Sequence, residues 1–241
     1  HFTLDDNPNL SEEYKNFIRK AYSGLWYKRM VEGLWVQAEG AIYDMIDPDL
    51  HFIPRKALPK GFDKYLVGVD YGAGNPTVFE LIGIRMNPAG EPVLYVVDEY
   101  YHDPRKSGAR TARQYKEAFI AWIGDIRPNK IFCDPSALDF INELRSNSCD
   151  MAFHNLGRTD NSVLQGINTL STLFSQSRLF VNRDDCTMAV KELVGYLWDA
   201  NAQLKGEDKP VKDHDHSCDA IRYPIHSSYP ASVMQRRFVA A

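Results

Sequence analysis

Apolar side chains recur along this chain with two different periods, and the change between them organises the sequence. Residues 65–70 form a short apolar run that ends in an acid, and residues 77–85 and 93–101 form two further strand-like runs. The connections at 71–76 and 87–92 are rich in Gly, Asn and Pro, which is turn chemistry, so the three strands are expected as antiparallel hairpins. The spacing then becomes helical. Tyr115, Phe119, Trp122 and Ile123 mark a helix within 109–123, followed by a fourth strand at 130–134 that again ends in an acid. A helix capped at Ser136 is expected over 136–146, and a short fifth strand over 151–154. Val163, Leu164, Ile167, Leu170, Leu173 and Phe174 define a further helix, 178–181 is extended, and 186–198 is helical. The polar stretch 201–212, with Gly206 and Pro210, reads as a loop or exposed hairpin. Residues 213–225 form the last helix, which Pro224 is expected to end or kink. The sum is an α/β fold: a mixed sheet of three antiparallel strands and then parallel strands, flanked by helices. A right-handed crossover places the 130–134 strand parallel to and beside the 65–70 strand.

The first 60 residues differ from the rest. Ser11, followed by Glu12 and Glu13, reads as the start of a helix over 11–31 that Gly24 splits in two. A loop containing Asp47, Pro48, Asp49, Pro54 and Pro59 comes next. Residues 1–60 are therefore expected to be a linker with some helix, and 61–241 the compact domain.

Composition narrows the class. Hydrophobic residues make up 44% of 241 positions, enough for a sizeable core, and no apolar run nears the roughly 20 residues of a membrane span. The start is polar and acidic, unlike a signal peptide, and lacks Met, which suggests a piece of a longer protein. Cys133, Cys149, Cys186 and Cys218 form no C-x-x-C pair, so reduced thiols are expected rather than disulfides or a zinc site. The net charge of −4 argues against wholesale binding to nucleic acid. Basic residues are nonetheless grouped, with Arg105, Lys106, Arg110, Arg113 and Lys116 in one acid-free stretch and Lys15, Arg19, Lys20, Lys28 and Arg29 in another. Each group fits a solvated helix face, and each also fits contact with phosphates.

The acids carry the chemistry. With their strands parallel and adjacent, Asp70 and Asp134 end about 4.8 Å apart, a spacing at which two carboxylates repel unless a divalent cation joins them. Oxygen-rich sites of this kind suit magnesium or manganese. Asp215 and Asp219 stand four residues apart and share one helical face, with His216 three residues before Asp219. Two ions roughly 3.5–4 Å apart clamp the attacking and leaving oxygens of a phosphodiester. Asp70, Asp134 and Asp219 then suffice as the protein's share, with Asp70 bridging. Plainer readings stand beside these: Asp134 starts a turn before Pro135 and Ser136, Asp213 or Asp215 caps the last helix, and His214 and His216 lie on the surface. Asp98 and Glu99 also end a strand, two strands from Asp70, and are read as surface residues.

Val67-Gly68-Val69-Asp70-Tyr71-Gly72, Phe132-Cys133-Asp134-Pro135-Ser136 and Asp215-His216-Ser217-Cys218-Asp219-Ala220-Ile221-Arg222-Tyr223 resemble the three acidic motifs of tailed-phage terminase large-subunit nucleases. Asp6-Asn7-Pro8, Tyr27-Lys28-Arg29, Gly33-Leu34-Trp35-Val36 and Glu39-Gly40-Ala41-Ile42-Tyr43 resemble the segment that joins that family's ATPase to its nuclease. The resemblance implies a ribonuclease H-like fold and a metal-dependent endonuclease that cuts concatemeric double-stranded viral DNA during packaging. It implies Asp70, Asp134 and Asp219 as catalytic metal ligands, Asp215 and His216 as further candidates, and two Mg2+ or Mn2+ ions as cofactors. Arg105, Lys106, Arg110 and Arg113 are the candidate DNA-binding residues. The implied partners are DNA, an ATPase domain, a terminase small subunit and the capsid portal, in the host cell cytoplasm and not at a membrane. Residues 201–212 fall where relatives carry a flexible hairpin. No G-x-x-x-x-G-K-[ST] phosphate loop occurs, so no ATP hydrolysis is expected of this chain alone. Two other readings remain: another ribonuclease H-like nuclease, such as a junction resolvase or transposase-like enzyme, or a non-catalytic module that docks on DNA or the portal.

Overall fold

The computed structural model describes residues 2–146 and 156–229. Six strands form one sheet in the order β1-β6-β4-β3-β2-β5: β1 is Phe52–Ile53, β2 Lys64–Asp70, β3 Thr77–Met86, β4 Pro92–His102, β5 Lys130–Cys133 and β6 Leu179–Asn182. The hairpin strands β2, β3 and β4 pair antiparallel, and β5 lies parallel to β2 as the crossover rule requires. Among the described residues this is the mixed sheet with flanking helices expected from the sequence. The short β1 extends the sheet parallel to β6, a long-range pairing with no local signal. The strand expected at 151–154 lies outside the described residues.

Helices α1 (Glu12–Ala21) and α2 (Gly24–Met30) are separate, as Gly24 predicts, and the Ser11 hydroxyl accepts from Tyr14 N to cap α1. Two single turns, α3 (Pro48–His51) and α4 (Pro104–Ser107), each start with Pro at the first helical position, where its missing N–H costs nothing. Helix α5 (Ala112–Ile123) opens with a Thr111–Gln114 capping box, and α6 (Leu138–Arg145) starts two residues later than the cap expected at Ser136. Helices α7 (Val163–Ser175), α8 (Thr187–Gly195), the one-turn α9 (Ala200–Gln203) and α10 (His216–Ser228) follow among the described residues.

Alternation along β2 decides which way its residues face. Val67 and Val69 pack with Tyr115 and Phe119 of α5 and Phe140 and Leu144 of α6. Leu66 faces the opposite side, where Ile167, Leu170 and Leu173 of α7 and Ile221 and Ile225 of α10 lie. Each such fully buried side chain contributes about 1.5–3 kcal/mol. Gly68 and Asp70 share Leu66's parity, so the strand presents its acid to α10. On β5, Ile131 and Cys133 face α5 and α6 while Phe132 faces α10, and Asp134 follows Phe132's parity.

Helix α10 runs through Pro224 to Ser228, so the proline neither ends it nor limits it to Tyr223. Pro224 lacks the N–H that would bond the carbonyl of Ala220, four residues earlier. That carbonyl lies against Gly68, where an added Cβ would stand 1.7 Å from it and 2.7 Å from Pro224 Cδ. Gly68 and Pro224 thus belong to one contact that draws α10 onto β2. The stretch 201–212 begins with α9 and returns to pair Pro210 with Trp198 in an antiparallel bridge. Cys133, Cys186 and Cys218 are buried free thiols, and no helix among the described residues is long and apolar enough to cross a membrane.

Candidate functional site

The sheet and α10 bring the sequence-predicted acids to one edge. The β2–β5 ladder pairs Val69 with Cys133, so Asp70 and Asp134 are the next residues on two adjacent parallel strands. His216 Nδ1 donates to Asp70 Oδ2 at 2.8 Å. Tyr223, further along α10, donates its hydroxyl to Asp134 Oδ2 at 2.8 Å. Burial raises the Tyr223 phenol first, and the charges of Asp219, Asp70 and Asp134 raise it further.

Each acid has its own electrostatic setting. Burial raises the Asp70 carboxyl, Asp219 and Asp215 add to the rise, and the His216 hydrogen bond opposes it. Burial pushes Asp134 up as well, but bonds from Ser136 N (2.7 Å), Ser136 Oγ (2.5 Å) and Tyr223 outweigh it and hold the group low. The turn-forming role expected of Asp134 is therefore present together with its place in the site. For His216, burial disfavours the charge, but the bond and charge of Asp70 prevail and its pKa is raised. Asp219 Oδ1 accepts from Arg222 Nη2 (2.8 Å) and Nε (3.2 Å), and Arg222 is only 2% exposed, so this pair is fixed within the core. Asp215 occupies the N-cap position of α10, but its side chain does not cap the helix; Asp215 Oδ2 lies 3.1 Å from Lys212 Nζ.

The donor set fits a hard divalent cation, since it consists of oxygens of buried or half-buried acids. His216 holds one oxygen of Asp70, and Asp219 accepts from Arg222 at Oδ1 and from the Lys212 ammonium at Oδ2. Among the described residues no three His, Cys, Asp or Glu side chains stand together closely enough, as placed, to hold a metal ion.

The reading of Glu99 as a surface residue is overturned. A bulge lies between the pairs Ile82–Val96 and Leu81–Asp98, so Val97 is an extra residue and the side-chain parity of β4 inverts after it. Glu99 thereby shares a face with its cross-strand partner Glu80 beneath α10. It accepts from Met188 N (3.0 Å) and Ala189 N (2.6 Å) at the start of α8, and from Ser217 Oγ at 3.3 Å. Asp98 is half-buried. Glu192 of α8, for which the sequence gave no signal, accepts from Ser217 N (2.6 Å) and the Tyr101 hydroxyl (3.0 Å), tying the start of α10 to α8.

Glu80 is fully buried, with no well-formed hydrogen bond at either oxygen. Burial, then the charge of Glu99, push its pKa well above the ordinary 4.5. The folded protein keeps a proton here that the unfolded chain releases, so stability falls as pH rises through the interval between the two values. The slope is about 1.4 kcal/mol per pH unit while that interval lasts. Glu80→Gln is expected to flatten this dependence and to be more stable than the wild type at pH 8. Urea unfolding at pH 5 and pH 8 checks it, and equal slopes for the two proteins would rule Glu80 out as the source.

Of the candidate DNA-binding residues, Arg105 and Lys106 on α4 pair with Asp103, Arg110 bonds the Tyr100 hydroxyl, and Arg113 pairs with Glu117 on the exposed face of α5. The charge of Arg105 is favoured chiefly by Asp103.

A family model described as Terminase RNaseH-like domain matches residues 86–228. The chain superposes over 94% of its length on the large terminase of the thermophilic bacteriophage D6E in complex with ATP-gamma-S, at 39% identity and a TM-score of 0.81. It covers 55% of that protein, about half its length. The P22 large terminase nuclease domain matches 84% of the chain over 95% of its own length, at 20% identity and a TM-score of 0.56. The large terminase nuclease from thermophilic phage G20c matches 77% over 97% of its own, at 16% identity and a TM-score of 0.54. These last two show the shared fold alone. Among curated proteins none matches.

Proposed function

Because the chain belongs to the terminase ribonuclease H-like domain family, we propose that it is a metal-dependent endonuclease that cuts concatemeric double-stranded viral DNA during genome packaging. The observation that supports this reading is that Asp70 and Asp134 end two adjacent parallel strands and are each bonded by α10, the helix that carries Asp219, through His216 and Tyr223. Asp70, Asp134 and Asp219 are the proposed ligands of Mg2+ or Mn2+, two ions in all, with Asp215 beside Asp219. Such ions, when bound, polarise the phosphate and offset charge on the attacking and leaving oxygens. The chain's own residues fix the geometry. His216 orients Asp70, Tyr223 and Ser136 orient Asp134, and Arg222 orients Asp219 from within the core. In a full-length protein the proposed partners are an ATPase domain joined through residues 1–60, a terminase small subunit and the capsid portal, and the proposed setting is the host cell cytoplasm.

The test is plasmid cleavage by this chain at low salt with Mg2+, Mn2+ or EDTA. Nicking and linearisation that need the divalent ion are expected. A chain that binds duplex DNA and leaves it intact under every metal would overturn the catalytic reading in favour of a docking module. Branched and RNA–DNA hybrid substrates, run in parallel, separate a packaging nuclease from a resolvase or ribonuclease H.

The basic stretch is the proposed path of the DNA backbone. Replacing Arg105 and Arg110 together with Ala is expected to weaken binding to all duplex sequences alike and to lower the slope of log affinity against log salt by about 2. Affinity measured at several salt concentrations checks this, and an unchanged slope would exclude both residues from phosphate contact.

A further inference from the structure

Lys212 ends the polar loop before α10, and its ammonium lies between two acids of the site, 3.1 Å from Asp215 Oδ2 and 3.4 Å from Asp219 Oδ2. Its partners are unlike it. The Asp215 and Asp219 side chains are 9% and 11% exposed, whereas that of Lys212 is 61% exposed. The acids are fixed by their position on α10, and Arg222 holds the other oxygen of Asp219. The backbone next to Lys212 is also fixed, because Val211 N bonds the Leu197 carbonyl at 2.9 Å. What is left free to move is the lysine stem, on the solvent side of two carboxylates that cannot follow it.

We propose that Asp215 and Asp219 form a cation subsite within the acidic centre, and that the Lys212 ammonium is its resident cation until a divalent ion displaces it. This rests on the metal-dependent reading above. The two occupants need the same oxygens, so they exclude one another. The ammonium is a monovalent point charge on a flexible stem, whereas a divalent ion brings twice the charge and takes several oxygens at once. Two like charges on adjacent turns of a helix repel, and the ammonium offsets that repulsion while the site waits. Exchange therefore costs the two partly exposed ion pairs of Lys212 and leaves the helix in place. Lys212 sets the divalent concentration at which the subsite fills, because each ion that enters must first compete with a cation tethered beside it. Arg222 does not act in this way, since it is buried and bound to Asp219 through two nitrogens.

The experiment is Mn2+ binding to the whole chain, followed by the electron paramagnetic resonance of the free ion, for the wild type, Lys212→Met, Lys212→Arg, Asp215→Asn and the Lys212→Met/Asp215→Asn double variant. Lys212→Met keeps the stem and removes the charge, and is expected to bind Mn2+ about two- to tenfold more tightly than the wild type, the worth of its two partly exposed ion pairs. Lys212→Arg keeps a cation and is expected to stay near the wild type. In the Asp215→Asn background the gain from Lys212→Met is expected to shrink, because one of the two carboxylates in dispute has lost its charge. Lys212→Met binding no tighter than the wild type, or showing the same gain without Asp215, would overturn the exchange while leaving the nuclease reading intact. A chain that binds no Mn2+ with or without Lys212 would remove both.

Discussion

Asp70→Asn is expected to lower metal-dependent DNA cleavage by about a thousandfold or more and to leave the fold intact. The argument starts from placement. Asp70 is the last residue of β2, on the face turned to α10, and it stands beside Asp134 at the end of the parallel neighbour β5. Asparagine has the same shape but neither the charge nor a second carboxylate oxygen, so it is a poor ligand for a hard cation. Metal ions stabilise the transition state of such reactions by several kcal/mol, and each 1.4 kcal/mol is tenfold in rate. Stability should not fall with activity. Burial already disfavours the Asp70 charge, and Asp219 and Asp215 oppose it further, so a neutral residue is easier to hold there. A plasmid assay with thermal melting of both proteins tests this. Cleavage within tenfold of the wild type, in a variant that melts normally, would remove Asp70 from the reaction.

Gly68→Ala is expected to have the opposite signature, losing stability by about 3 kcal/mol or more and activity along with it. The reason is space rather than backbone conformation. An added Cβ would meet the Ala220 carbonyl oxygen at 1.7 Å and Pro224 Cδ at 2.7 Å, and backbone and ring leave no flexible end to turn aside. Relief requires α10 to move away from β2, which opens the core and shifts Asp219 and Tyr223 from Asp70 and Asp134. Overpacking of a well-packed core costs about 1–3 kcal/mol, and a clash with main chain lies at or beyond the upper end. Chemical denaturation gives the stability, and cleavage by the fraction still folded gives the activity. Wild-type values for both would mean that α10 and β2 are not held as close as Gly68 places them.

The fold was legible where short-range pattern decides it. Period-two runs, turn residues and the crossover rule set β2 beside both β3 and β5, and so brought Asp70 to Asp134. The four-residue spacing of Asp215 and Asp219 put both on one helix. What escaped reading depends on single residues or distant ones. One extra residue, Val97, inverts the parity of β4 and carries Glu99 beneath α10 instead of to the surface. Glu192 belongs to a helix whose sequence gives no reason for a buried acid; its partners, Tyr101 and Ser217, come from other parts of the chain. Pro224 signals a helix end by local rules, and only its partner Gly68, on another strand, explains why α10 continues. Lys212 sits in a polar loop whose composition says nothing of where one ammonium points.

The ten consecutive buried residues of α10, Ser217 to His226, have a consequence for how this protein fails. The ligands proposed for the ions are divided between strand ends and this helix, and the helix is itself part of the core. Local fluctuations of free energy well below that of global unfolding can loosen loops and frayed ends, but they cannot detach a helix enclosed on this scale. The acidic site therefore opens only when the domain opens, and under the proposed nuclease reading the number of chains able to cut follows the folded fraction.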